Sequence, residues 1–123
     1  MEDYIFPFEK LEVWNLSVDF ADYLLEILIT FPENKYLRLI GQMEAAVASV
    51  AQNIAEGKGR QYKKEFIQFL YIAEGSLFEV LTLTELLKRR KLFTDKEATN
   101  IREQAIVIDI KICGLIKSLK KRT

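Results

Sequence analysis

Histidine is absent from this 123-residue chain, and that absence removes a large part of catalysis. Without imidazole the chain has no side chain titrating near neutrality by default, no usual zinc ligand, and no means of building the Glu-x-x-His pairs of ferritin-like di-iron bundles. Cysteine occurs once, as Cys113, so no intramolecular disulfide can form. Its place in the apolar run Ile110-Lys111-Ile112-Cys113, with no histidine beside it, suits a buried or interface thiol in a reducing compartment better than a nucleophile. Two prolines and five glycines leave no room for a linker, and neither an internal repeat nor a bounded strand-like alternation is present. No stretch approaches the roughly 20 uninterrupted apolar residues that cross a bilayer, and Met1-Glu2-Asp3 lacks the basic start of a signal peptide. These absences predict a cytoplasmic protein without a membrane partner, a cofactor, a bound metal or an enzymatic activity.

What is present is apolar surface and charge. Half of the residues are hydrophobic, enough for a real core in one domain spanning 1–123, with no room for a second. The formal net charge is zero, but residues 1–57 carry three basic and ten acidic side chains, whereas residues 58–123 carry fifteen and eight. The two halves can meet each other within or between subunits, or the basic half can present a face to phosphate. A balanced total and a pI near 6.3 favour the first, because dedicated nucleic-acid binders usually sit far above neutrality.

Hydrophobic spacing predicts four helices joined by short connections, hence an all-α, up-down-up-down antiparallel four-helix bundle. The first opens at Pro7 and ends before Pro32. Leu11, Trp14, Val18, Ala21, Leu25 and Leu28 form its core seam, and a flanking stripe runs through Val13, Leu16, Phe20, Leu24, Ile27 and Phe31. So wide an apolar arc implies burial between subunits. The second, from about Glu33 to Glu56, turns Tyr36, Ile40, Met43, Val47, Val50 and Ile54 inward and is otherwise rich in alanine, with Gly57 expected to close it in the left-handed conformation and Gly59 to permit a sharp turn. The third, about Lys63 to Arg90, buries Phe66, Leu70, Ala73, Leu77, Val80 and Leu87 with Thr84 in register. Gly75 in its middle costs about 1 kcal/mol relative to alanine, which close contact with the alanine face of the second helix would offset, Ser76 bonding across to Ser49 or Asn53. The fourth begins at the capping box Thr94-Asp95-Lys96-Glu97 and continues through Ala98, Ile101, Ala105, Ile108, Ile112, Leu115 and Leu119.

The polar residues of the central stretch are patterned. Gln42, Ser49, Asn53 and Glu56 fall along one helical edge, and Glu65, Ser76 and Glu79 do the same on the next helix. Together with Ala46, the string Asn53-Ile54-Ala55-Glu56-Gly57, Arg60, Glu65-Phe66, Phe69-Leu70, Ala73 and Gly75-Ser76, they resemble the signature of the bacterial 23S rRNA intervening-sequence proteins. Leu11, Val13-Trp14 and Phe31-Pro32 extend the likeness, which runs from about residue 8 to about residue 93. The resemblance implies a four-helix bundle, assembly into a pentameric ring or barrel, no known enzymatic activity and a role with structured RNA. A related branch serves as the accessory protein of diversity-generating retroelements, binding nucleic acid and a reverse transcriptase. Gln42, Ser49, Asn53, Glu56, Gly57, Glu65, Gly75, Ser76 and Glu79 are then structural residues of the family pattern. Where the family usually shows a basic pair after the glutamine, this chain has Glu44 and Ala45, which removes attraction for phosphate there and adds repulsion.

Candidate ligand-binding residues are basic. Gly57-Lys58-Gly59-Arg60 is not a P-loop, which needs G-x-x-x-x-G-K-[ST] between a strand and a helix, but Lys58, Arg60, Lys63 and Lys64 can hold phosphate through side chains and free helix N–H groups. Lys88-Arg89-Arg90-Lys91 and the C-terminal Lys117, Lys120, Lys121 and Arg122 stand at helix C-termini, where the helix dipole already explains them. Set on one rim of a ring, those two runs would multiply into a basic band. Glu56, Glu65 and Glu79 could converge on a hard cation, although ordinary pairing, Glu56 with Arg60 or Lys63, is the simpler expectation. Two functions follow: a non-catalytic oligomeric scaffold that binds structured RNA or another nucleic acid, or a ring-shaped adaptor that docks a partner protein.

Overall fold

A proline and a carboxylate set the first turn. In the computed structural model, which describes residues 1–121, Pro7–Lys10 form a single 3-10 turn whose entry is closed by the Phe6 N–H donating to Glu9 Oε2 at 3.1 Å. Four helices follow: α1 (Glu12–Leu28), α2 (Leu37–Lys58), α3 (Lys63–Arg89) and α4 (Asp95–Lys121). Each packs on its neighbours in a closed cycle, α1 on α2, α2 on α3, α3 on α4 and α4 on α1, so α1 and α3 are diagonal, as are α2 and α4. No strand occurs among the described residues, and the chain is an all-α bundle.

Phe20, Leu24, Met43, Ile54, Leu70 and Leu77 are among the fully buried residues at the centre. The inward seam of α3 falls where its spacing predicts and that of α2 does so from Met43 to Ile54, with Ile40 half-buried and Tyr36 just before the helix; Thr84 is buried in register, its hydroxyl donating back to the Val80 carbonyl at 2.7 Å. The α4 seam holds with one shift: Ile116 rather than Leu115 is buried near the end. Its capping box forms as expected, the Glu97 N–H donating to Thr94 Oγ1 at 3.0 Å and the Thr94 N–H to Glu97 Oε1 at 2.9 Å.

The first helix corrects the sequence reading. Its core stripe is Val13, Ser17, Phe20, Leu24 and Leu28, whereas Val18 and Leu25, expected inside, are 39% and 41% exposed. Ser17 disguised the buried face, yet its hydroxyl donates to the Val13 carbonyl at 2.7 Å and so can be buried without an orphaned polar group. The second helix starts at Leu37, not Glu33, because Tyr36 before it is left-handed, with φ 58°.

Glycine roles also differ from expectation. No glycine has positive φ, so neither Gly57 nor Gly59 supplies a left-handed closure. Gly57 lies inside α2 and faces α3, where a Cβ would stand 2.7 Å from Phe69 Cβ and 2.9 Å from Phe66 Cδ1. The small residue is required by helix approach, not by a turn. Gly75 shows the reverse: a Cβ there would meet nothing within 4 Å, so the expected contact with the alanine face of α2 does not exist.

By length and composition α3 is apolar enough to cross a membrane. Packing against α2 on one flank and α4 on the other accounts for part of that apolarity, but only a third of its most apolar window is buried.

Candidate nucleic-acid interface

Antiparallel topology decides which basic residues share an end. The α2–α3 turn carries Lys58, Arg60, Lys63 and Lys64, and the C-terminal end of α4 comes to the same half of the bundle, bringing Lys117, Lys120 and Lys121 alongside the early turns of α3 around Tyr71. Lys120 Nζ donates to the Tyr71 hydroxyl on α3 at 3.0 Å, which fixes that neighbourhood. Lys88 to Lys91 lie at the other end of α3. At about 1.5 Å per residue, the 27-residue α3 separates the two groups by roughly 40 Å. The C-terminal run and Lys88–Lys91 therefore do not share a rim, contrary to the sequence expectation; Arg122, the last basic residue, lies outside the described residues.

Side chains at the α2–α3 end are held by local contacts that leave charge facing water. Arg60 pairs with Glu56 at 3.3 Å, both partly exposed, and its guanidinium stacks over Phe69 with Cζ 4.8 Å from the ring centroid. Lys58 Nζ lies 5.9 Å from the Phe66 centroid. The two rings that exclude a side chain at Gly57 thus also carry the cations of the turn. Lys63 and Lys64 open α3, and Tyr62 before them is 62% exposed.

The opposite end is internally engaged as well. Arg89 pairs with Glu85 at 2.9 Å, a hydrogen bond that holds the Glu85 carboxyl below its usual range. Lys88 reaches Asp95 at 4.0 Å, and Arg90 donates to the Tyr36 hydroxyl at 2.9 Å. Lys91 takes the left-handed conformation, φ 65°, at the exit of the helix.

Between the ends runs the polar edge anticipated from spacing. Ser49 and Ser76 hydroxyls meet at 2.8 Å across α2 and α3, and Asn53 Nδ2 donates to Ser49 Oγ and to the Ser49 carbonyl, each at 2.8 Å. Gln42, Glu56, Glu65 and Glu79 stay exposed along it. Glu56, Glu65 and Glu79 do not gather into a cation site among the described residues, and Glu56 has Arg60 as its partner.

This chain matches the 23S rRNA-intervening sequence protein family over residues 9–114. It belongs to that family. A solved structure from Bacteroides thetaiotaomicron, described as a protein of unknown function from the S23 ribosomal protein family, superimposes with a TM-score of 0.76 at 27% identity, covering 85% of this chain and 98% of that one. No curated protein matches. In this member of the 23S rRNA-intervening sequence family the Ser49–Ser76 bond and Gly57 set how closely α2 and α3 approach.

One grouping escaped the sequence reading. Cys113, expected to be a buried or interface thiol, is exposed in the protomer, and its thiol donates to Glu74 Oε2 at 3.3 Å with Asp109 Oδ1 at 4.0 Å. Partial burial, then hydrogen bonding with Glu74 and the charge of that carboxylate, raise Asp109 to about 6. Burial first, then the Glu74 hydrogen bond and the two neighbouring negative charges, push Cys113 up to about 11, so the thiol stays protonated and unreactive at neutral pH. Asp109 and Cys113 are one turn apart, but Glu74 comes from another helix, which spacing alone does not reveal.

Proposed function

We propose that this protein is a non-catalytic, self-associating helical scaffold that binds structured RNA through the α2–α3 end of the bundle. The supporting observation is that Lys58, Arg60, Lys63 and Lys64 lie toward the same end of the bundle as Lys117, Lys120 and Lys121 from the end of α4. Seven cations from three helix ends, next to exposed Tyr62, suit a ligand read by backbone charge and base stacking. Glu44 and Ala45 occupy α2 nearly four turns away, so their lack of positive charge leaves this end untouched. Lys88, Arg89, Arg90 and Lys91 form a lesser site because they are four cations from one helix end.

A protein adaptor is the second reading. It is favoured by the apolar residues left on the surface, among them Ile72, Phe78 and Ile110 at 50%, 49% and 66% exposure. Fluorescence anisotropy with an RNA hairpin, single-stranded DNA and duplex DNA at two salt concentrations separates the two. The scaffold reading expects salt-sensitive binding that prefers the hairpin; no binding of any of the three at low salt would leave the adaptor.

A further inference from the structure

Arg102 is a cation without an acid of its own. Arg60 and Arg89 are each engaged by a glutamate one turn back in the same helix, Glu56 and Glu85. Around Arg102 the positions three and four residues away hold Thr99, Ala98, Ala105 and Ile106, so no such pair can form. Among the described residues its guanidinium makes no ion pair or hydrogen bond.

Arg102 lines a cavity of about 260 Å³ between α3 and α4. The hollow exists because the residues that meet there are short: Ala98 and Thr99 on α4, with Thr84 on α3, leave space that longer side chains would fill. Leu81 and Ala98 give it an apolar side. Lys88 brings a second cation, loosely held, since its Nζ reaches Asp95 only at 4.0 Å and the Asp95 side chain is 94% exposed. Glu85 is the one carboxylate of the lining, and Arg89 already holds it at 2.9 Å. The Thr84 hydroxyl donates to the Val80 carbonyl, which leaves its oxygen as an acceptor.

Both walls are fixed without a ligand. The Thr94–Glu97 capping box pins the first turn of α4, and the Leu92 N–H donates to the Leu87 carbonyl at 2.9 Å, closing the end of α3. A site held in shape in advance loses little to ordering when it binds.

We propose that this cavity binds a small organic carboxylate carrying one negative charge, with Arg102 as its main ligand and Lys88 as the second cation. Two cations stand against one engaged carboxylate, so a single negative charge balances the lining. The guanidinium fork matches a carboxylate through two parallel hydrogen bonds. Leu81 and Ala98 receive a short hydrocarbon body, and the volume falls just below the roughly 300–1,000 Å³ of drug-sized pockets, which sets the ligand as a small one. The cavity lies on the Lys88 half of α3, away from Lys58–Lys64, so it stands apart from the end proposed above for RNA.

The test is a titration of the full chain followed by nitrogen–proton correlation spectra. Benzoate and butyrate are the probes, benzamide and butyramide their neutral counterparts, and inorganic phosphate the anion control. Saturable shifts are expected at the amides of Thr84, Lys88, Ala98 and Thr99 with both carboxylates, and the neutral amides should bind at least about tenfold more weakly. Arg102→Gln should lower benzoate affinity by about tenfold or more, whereas Lys96→Gln, a cation of the same helix outside the lining, should change it by less than about threefold. Ala98→Leu fills the cavity without altering charge and should abolish binding. Absence of saturable shifts, equal binding of carboxylates and amides, or unchanged benzoate affinity in Arg102→Gln overturns the site, as does wild-type affinity in Ala98→Leu. Phosphate binding in place of the carboxylates overturns the ligand class. Should Ala98→Leu lose helix content, Arg102→Gln against Lys96→Gln, both on the exposed face of α4, decides alone.

Discussion

Replacing Gly57 by alanine probes the helix contact that positions the α2–α3 turn. On an exposed helix the change would stabilise by up to about 1 kcal/mol, since glycine is the poorer helix former. Here the new methyl would stand 2.7 Å from Phe69 Cβ, an atom tied to the α3 backbone that no rotamer change can withdraw, and 2.9 Å from Phe66 Cδ1. The Phe66 carbonyl at 3.3 Å closes the third side. The helices must therefore separate, and overpacking of this kind costs about 1–3 kcal/mol. The clash outweighs the propensity gain, for a net loss of roughly 1–2 kcal/mol, or about 4–8 °C in Tm for a domain of this size. Gly75→Ala is the control, because its Cβ points into open space and the propensity term should act alone, raising Tm by a few degrees. Thermal unfolding followed by circular dichroism measures both. Gly57→Ala unfolding at or above the wild-type temperature would refute the close approach of α2 to α3.

The Ser49–Ser76 bond should appear in a double-mutant cycle to alanine as a coupling of about 0.5–1.5 kcal/mol, read from urea unfolding; additive single effects would mean the hydroxyls do not interact. Asp109 binds its proton more tightly folded than unfolded, so its contribution is most favourable below about pH 4 and declines as pH rises through about 6. Asp109→Asn should accordingly stabilise the protein by about 1 kcal/mol at pH 7.5, after allowing for solvent screening of a partly exposed group, with the gain vanishing near pH 4. Urea midpoints at the two pH values check the sign, and a variant less stable than wild type at pH 7.5 contradicts it.

The helical periodicity of α2, α3 and α4 was legible because their buried faces are almost wholly apolar, and Thr94 and Glu97 announced the start of α4. In α1 two adjacent stripes were both apolar, and the buried one contained Ser17, a residue whose bond to its own helix is invisible in composition. Gly57 was misread for a related reason: a glycine near a helix end suggests a turn, whereas its use here depends on Phe66 and Phe69 of another helix. The basic residues were legible as candidates, but their grouping was not. Chain direction alternates in the bundle, so the α4 terminus joins Lys58–Lys64 and moves away from Lys88–Lys91.

The most direct test of the scaffold reading is the salt dependence of RNA-hairpin affinity. Anisotropy titrations from low to moderate salt would compare wild type with two variants, Lys58, Arg60, Lys63 and Lys64 all changed to Gln, and Lys88, Arg89, Arg90 and Lys91 all changed to Gln. Each lost phosphate contact lowers the slope of log affinity against log salt by about 0.7–0.9, so the first variant should lose roughly 3 in slope with most of its affinity, and the second less than about 1. Equal slopes in all three proteins would contradict binding at the α2–α3 end.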